Sequence, residues 1–162
     1  MLHLIVHFVP KPLHRAILRV AHRVRHRWRG LRGVPIAGVS VLLTNISGDL
    51  LLLRHSYGPA VWSLPGGGLK ASEDPVECAR REMREELGVE ILGMRDLGRL
   101  EEILSGAPHT AYLFAGRCDT MPRPDEREIV EARFFPTHSL PEPMGDMTRQ
   151  RIAAWRARQA EA

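Results

Sequence analysis

One stretch limits the fold more than any other: SEDPVECARREMREELGV, residues 72–89. Asp74 is suited to cap a helix N-terminus, Pro75 to its first position and Glu77 to the reciprocal half of a capping box. Gly88 is suited to the left-handed residue that ends it. The spacing therefore predicts a helix over 75–87 with both ends fixed. At about 100° per residue, Val76, Ala79, Met83 and Leu87 form one apolar seam that needs a sheet to pack on. Glu82, Glu85 and Glu86 share an arc of about 100° beside that seam. Like charges one turn apart repel, so the arc is either a solvated face or a place for a cation.

The flanking sequence supplies the sheet. Residues 34–44 (VPIAGVSVLLT) read as a strand, NISGD as a turn and LLLLRH as a second strand, predicting a hairpin. SYGPAVWSLPGGG is a Gly- and Pro-rich loop. Strands are expected near 90–104 and 109–117, another over REIVEARFFP, and a C-terminal helix from about Asp146. This order gives a mixed α/β domain over 34–162. Residues 1–33 form a separate arm, with apolar residues at 13, 17, 20, 21, 24, 28 and 31 and Arg or His at most other positions. That pattern predicts a basic amphipathic helix.

Charge divides the chain at the same place. Residues 1–48 hold eight Lys/Arg and no acid, so the remainder, with fifteen Lys/Arg against nineteen acids, is mildly acidic. Such a body argues against nucleic acid as a partner. The arm has two readings. It lies on an anionic membrane surface as a peripheral contact, or Leu13, Ile17, Val24 and Trp28 pack on the domain or on a second copy as a homodimer. Two cysteines, Cys78 and Cys118, imply no disulfide framework, and a cytoplasmic setting is the default. His22 and His26 are one turn apart but lack a third metal ligand.

Three carboxylates at i, i+3 and i+4 suit Mg²⁺ or Mn²⁺, which prefer oxygen ligands. Gly66, Gly67 and Gly68 let a backbone approach a ligand closely. Arg81, four residues before Glu85, is spaced to orient it. The full pattern is Gly67, five residues, Glu73, seven residues, then Arg81-Glu82-Met83-Arg84-Glu85-Glu86-Leu87-Gly88-Val89. It resembles the signature of the Nudix hydrolases at every defined position.

The resemblance implies an α/β/α sandwich with a mixed sheet. It also implies metal-dependent water attack on the diphosphate of a nucleoside diphosphate derivative. Carried over, Glu82, Glu85 and Glu86 are metal ligands, the Gly66 carbonyl adds another, Arg81 orients Glu85, and Glu73 shapes the loop–helix corner. Glu86 is the first choice for the base, with Glu128, Glu101 and Glu102 as candidates outside the signature. Arg54 and Tyr57 are candidate substrate contacts; an ordinary strand end is the competing reading. Lys70 and Ser72 stand where many members carry an acid and a glycine. The alternative to an enzyme is a Nudix-fold nucleotide sensor without turnover.

Overall fold

The structure, a computed structural model, describes residues 36–104 and 106–160. The expected N-terminal helix lies outside the described residues. The elements are β1 (Ile36–Thr44), β2 (Leu50–His55), α1 (Pro75–Leu87), β3 (Leu92–Leu104), β4 (Ala107–Arg117), β5 (Ile129–Phe135) and α2 (Asp146–Ala160). The strands form one five-stranded sheet in the order β3-β4-β1-β2-β5. Strands β1 and β4 run parallel; the other neighbouring pairs are antiparallel. This is the mixed sheet that the family resemblance implies.

Both faces of the sheet are covered. Val39, Val41, Leu43, Leu51 and Leu53 pack with Ala79, Met83 and Leu87 of α1. Leu42, Leu50 and Leu52 pack with Ile152 and Trp155 of α2. A strand buried on both faces is continuously apolar instead of alternating, which accounts for the four fully buried leucines 50–53.

The expected β1–β2 hairpin is only partly formed. The two strands pair at Thr44↔Leu50 and then separate. The loop before α1 enters the gap. Ser63 exchanges both backbone hydrogen bonds with Leu53 at 2.9 Å, and Val41 and Val39 donate to the carbonyls of Pro65 and Gly67 at 2.9 and 2.8 Å. The inserted chain must come very close to β1. A Cβ on Gly66 would sit 2.1 Å from the Val39 oxygen, and one on Gly67 2.3 Å from the Glu82 carboxyl. Glycine at 66 is therefore a packing requirement against the β1 backbone, while a side chain at 67 would displace the Glu82 carboxyl.

Candidate active site

Asp74 caps α1 by accepting from the Val76 and Glu77 amides at 2.8 and 3.3 Å. Gly88 ends it at φ 65°. The last carbonyls, those of Glu86 and Leu87, accept from Asp125 and Arg123, so the loop before β5 is docked on the helix end. These fixed ends set the rotation of α1. Glu86 stands about 20° from Ala79 around the helix axis, so it belongs to the buried seam itself. It is 8% exposed, and its Oε2 is buried with no hydrogen-bond partner. Burial, then the charges of Glu82, Glu128, Asp125 and Glu85, push its carboxyl well above the usual range. Burial also raises Glu82, against the opposing pull of Arg81.

Arg81 is the cation of the cluster. Its Nε and Nη2 donate to the two oxygens of Glu73 at 2.7 and 2.9 Å. Its Nη1 donates to Glu82 at 2.7 Å and to Glu85 at 3.2 Å. The expected pairing with Glu85 is present but is the longest of these contacts. Glu73 leads because the loop turns back at the N-cap and presents both carboxylate oxygens to the guanidinium fork. The Arg81 bond, then the Lys70 amide at 2.8 Å, hold Glu73 down to about 2. Glu73 is thus firmly ionised while Glu86 resists ionisation. Glu77 pairs with Arg80 at 3.9 Å. Ser72, in the same corner, adopts φ 60°.

Glu128 joins the cluster from the loop before β5. The Asp125 carboxylate accepts from the amides of Arg127, Glu128 and Ile129, which turns this loop tightly. Tyr57 donates to Glu128 Oε2 at 3.3 Å. The other candidates go elsewhere. Arg54 pairs with Glu131 across the β2–β5 ladder at 3.5 Å and lies 5.7 Å from the Trp62 ring centre. Glu101 accepts from the Thr110 hydroxyl and pairs with Arg99. Glu102 is on the α2 side of the sheet, where Arg151 Nε and Nη2 donate to it at 3.1 and 2.6 Å.

That side holds a cavity of about 650 Å³, bordered by the Gly66–Gly68 loop, Ser40, His109, Thr148 and Arg151. The loop is a common wall: Gly67 lies against Glu82 and also lines the cavity. Arg151 Nη1 donates to Ser40 at 2.7 Å, and His109 Nδ1 lies 3.2 Å from Glu102. Burial pushes Glu102 up, but Arg151 and His109 more than offset it and leave the carboxyl below its usual range. Sequence reasoning missed Ser40, His109 and Arg151. They meet across as many as 111 residues, and no local pattern marks them.

Among the described residues, no three acid, histidine or cysteine side chains converge on one metal point as they stand; Arg81 holds Glu82 and Glu85. The donor set nevertheless fits a hard divalent cation. Glu86 offers a buried oxygen without a partner, and Glu85, at 50% side-chain exposure, is bound among the described residues only by its 3.2 Å contact with Arg81. The Pro65 and Gly67 carbonyls are taken up by the Val41 and Val39 amides of β1, whereas no backbone hydrogen bond among the described residues is made to the Gly66 carbonyl between them.

With this geometry established, the relatives are informative. Residues 34–156 match the NUDIX domain family, and the chain belongs to it. An uncharacterized Nudix hydrolase of Pseudomonas aeruginosa is 35% identical over 118 residues, covering 70% of this chain and 68% of that protein. The RNA pyrophosphohydrolase of Rhodospirillum rubrum is 43% identical over 57 residues, covering 35% of this chain and 34% of that protein. The chain thus matches about a third of that relative's length. The solved MutT NUDIX hydrolase of Burkholderia pseudomallei superimposes with a TM-score of 0.68 at 24% identity, covering 75% of this chain and 98% of that one. This likeness shows the fold. Hydrolases of the family generally need a divalent metal.

Proposed function

We propose that the chain hydrolyses the diphosphate linkage of a nucleoside diphosphate derivative, with Mg²⁺ or Mn²⁺ held by Glu82, Glu85 and Glu86 and the Gly66 carbonyl. The observation that carries this reading is the unpartnered, buried Oε2 of Glu86, set among acidic neighbours, one of which, Glu82, meets the glycine loop that walls the cavity of about 650 Å³. A buried carboxylate without a partner is costly, and a bound cation offsets that cost. When bound, a divalent ion neutralises phosphate oxygens and acidifies water.

The protein's own residues supply the rest. The cavity takes the nucleoside or the group linked to it, with Arg151, His109, Thr148 and Ser40 as its polar wall. Gly68 has open space where a Cβ would stand, and the diphosphate approaches the α1 cluster along the loop there. Arg81, anchored on Glu73, holds Glu82 and Glu85 in place. Glu86 is the proposed base. Glu128 is the second candidate, favoured by its tethering through Tyr57 next to the cluster.

A nucleotide-panel screen tests the proposal. Nucleoside diphosphate sugars, dinucleotides, nucleoside triphosphates and a 5′-triphosphorylated RNA oligomer are incubated with Mg²⁺ and with Mn²⁺, and products are identified by mass. At least one substrate should be cleaved within its phosphate chain, only with metal present. Nucleotide binding without cleavage across the panel would favour a sensor module instead.

A further inference from the structure

A second cavity lies on the α2 face of the sheet, at the end away from the glycine loop. Its volume is about 510 Å³, inside the range of roughly 300–1,000 Å³ usual for small-molecule sites. Thr44 at the end of β1 and Arg117 at the end of β4 line it. These two residues are register partners. The first cavity is lined by Gly38 and His109, near the start of the same strands. From Gly38 to Thr44 along β1 is roughly 20 Å.

Arginine sets the chemistry of this second cavity. Arg95, Arg117 and Arg156 line it, with Thr44 and Thr137, and no Asp or Glu is among the described lining residues. Arg95 makes no ion pair with another described residue. Arg156 donates to the Thr137 carbonyl and makes no ion pair with another described residue. Arg117 pairs with Asp119 at 3.0 Å, but both side chains are about half exposed, and such surface pairs are weak. Guanidinium groups match phosphate oxygens in both charge and fork geometry. Leu42, Ala115 and Trp155 form an apolar floor beside them. The N-terminal arm is a poor occupant, because its eight Lys/Arg and lack of acids would oppose the arginines.

We propose that this cavity binds a small phosphate-bearing anion, a nucleotide or a short polyphosphate, at a site separate from the catalytic one. Helix α2 connects the two: Thr148 and Arg151 face the first cavity, and Trp155 and Arg156, within the next two turns, face the second. The proposal does not depend on the hydrolase reading, since none of its arginines touches the α1 cluster.

The test follows the Trp155 indole N–H by NMR in the full-length, metal-free chain, with Trp155→Phe to assign the resonance. Inorganic tripolyphosphate and ADP are titrated separately. The indole should shift saturably with at least one of them, and the doubly substituted Arg95→Ser/Arg156→Ser chain should bind at least tenfold more weakly. If that chain does not fold, Arg95→Ser alone, at an exposed position, should still weaken binding severalfold. Tighter binding of ADP would assign a nucleotide, and tighter binding of tripolyphosphate a polyphosphate. An indole that does not move, or that moves equally in the arginine variants, would overturn the proposal. In the second case the anion binds at the arm or the catalytic pocket.

Discussion

At the residue scale, the site depends on contrasts between neighbouring carboxylates. Glu73 is held ionised by a bidentate guanidinium, while Glu86, at the far end of α1 from the loop corner, is pushed toward its neutral form by burial. Arg81 joins three of the acids. Arg81→Ala should lower turnover by about a hundredfold or more, since small displacements of catalytic groups can cost that much. Arg81→Lys should recover little of it, because an ammonium cannot form the fork to Glu73. Steady-state rates of the two variants, with melting curves to verify folding, decide this. Wild-type-like turnover in Arg81→Ala would remove it as the positioning residue. Ser72 gives a prediction of opposite sign. Its φ of 60° costs an L-residue about 1 kcal/mol or more. Ser72→Gly relieves that strain but adds unfolded-state entropy, so a net stabilisation of up to ~1 kcal/mol is expected by urea denaturation. A destabilised glycine variant would show that the Ser72 side chain holds the corner.

At the element scale, most of the molecule was legible in the sequence. The α1 helix was, because its caps and seam are local signals. β2 was, because a run of leucines bounded by a turn and a loop has few alternatives. The depth of Glu86 was implicit in its spacing of seven from Ala79, yet a shared arc of glutamates suggests one uniform face. The loop inserted between β1 and β2 was not legible, since a turn followed by two apolar runs reads as a full hairpin. Neither was the Arg151–Glu102–His109–Ser40 network, which exists only once α2 has docked. Arg151→Ala leaves the Glu102 carboxylate, 7% exposed at the side chain, without its main partner. Loss of one member of a fully buried pair costs about 3–5 kcal/mol, and the loss here is smaller because Glu102 as a whole residue is only partly buried and keeps His109. Glu102→Gln in the same chain should return part of that loss, and a double-mutant cycle by chemical denaturation measures it. Strictly additive effects would mean that the pair does not hold α2 to the sheet.

At the scale of the whole molecule, stability should respond to pH and metal together. The folded-state carboxyl of Glu86 is raised by burial and by neighbouring acids. Between its unfolded value and that raised value, the folded protein binds more protons than the unfolded chain. Stability therefore falls as pH rises through this window and is greatest on its acid side. Glu73 and Glu102 have the opposite sign: their depressed folded values give stability that is lost as pH falls through those values. In EDTA, the melting temperature should pass through a maximum on the acid side of neutrality. Added Mg²⁺ should raise stability most near neutral pH, by about 2.7 kcal/mol at a hundred times its dissociation constant. A melting temperature insensitive to metal at neutral pH would count against a cation at α1. The cavities add a molecular-scale feature, since one helix lines both the proposed substrate pocket and the arginine pocket.

The central claim is that the α1 glutamates hold the catalytic metal, and Mn²⁺ binding measured on the samples used for turnover tests it most directly. Free Mn²⁺ is followed by electron paramagnetic resonance in wild-type protein and in Glu86→Gln, and hydrolysis of a substrate found in the panel screen is assayed in parallel. Wild type should bind Mn²⁺ saturably. Glu86→Gln should bind it at least about tenfold more weakly and turn over at least about a hundredfold more slowly, a barrier increase of roughly 2.7 kcal/mol. Unchanged Mn²⁺ affinity together with undiminished hydrolysis in a folded Glu86→Gln protein would contradict the account.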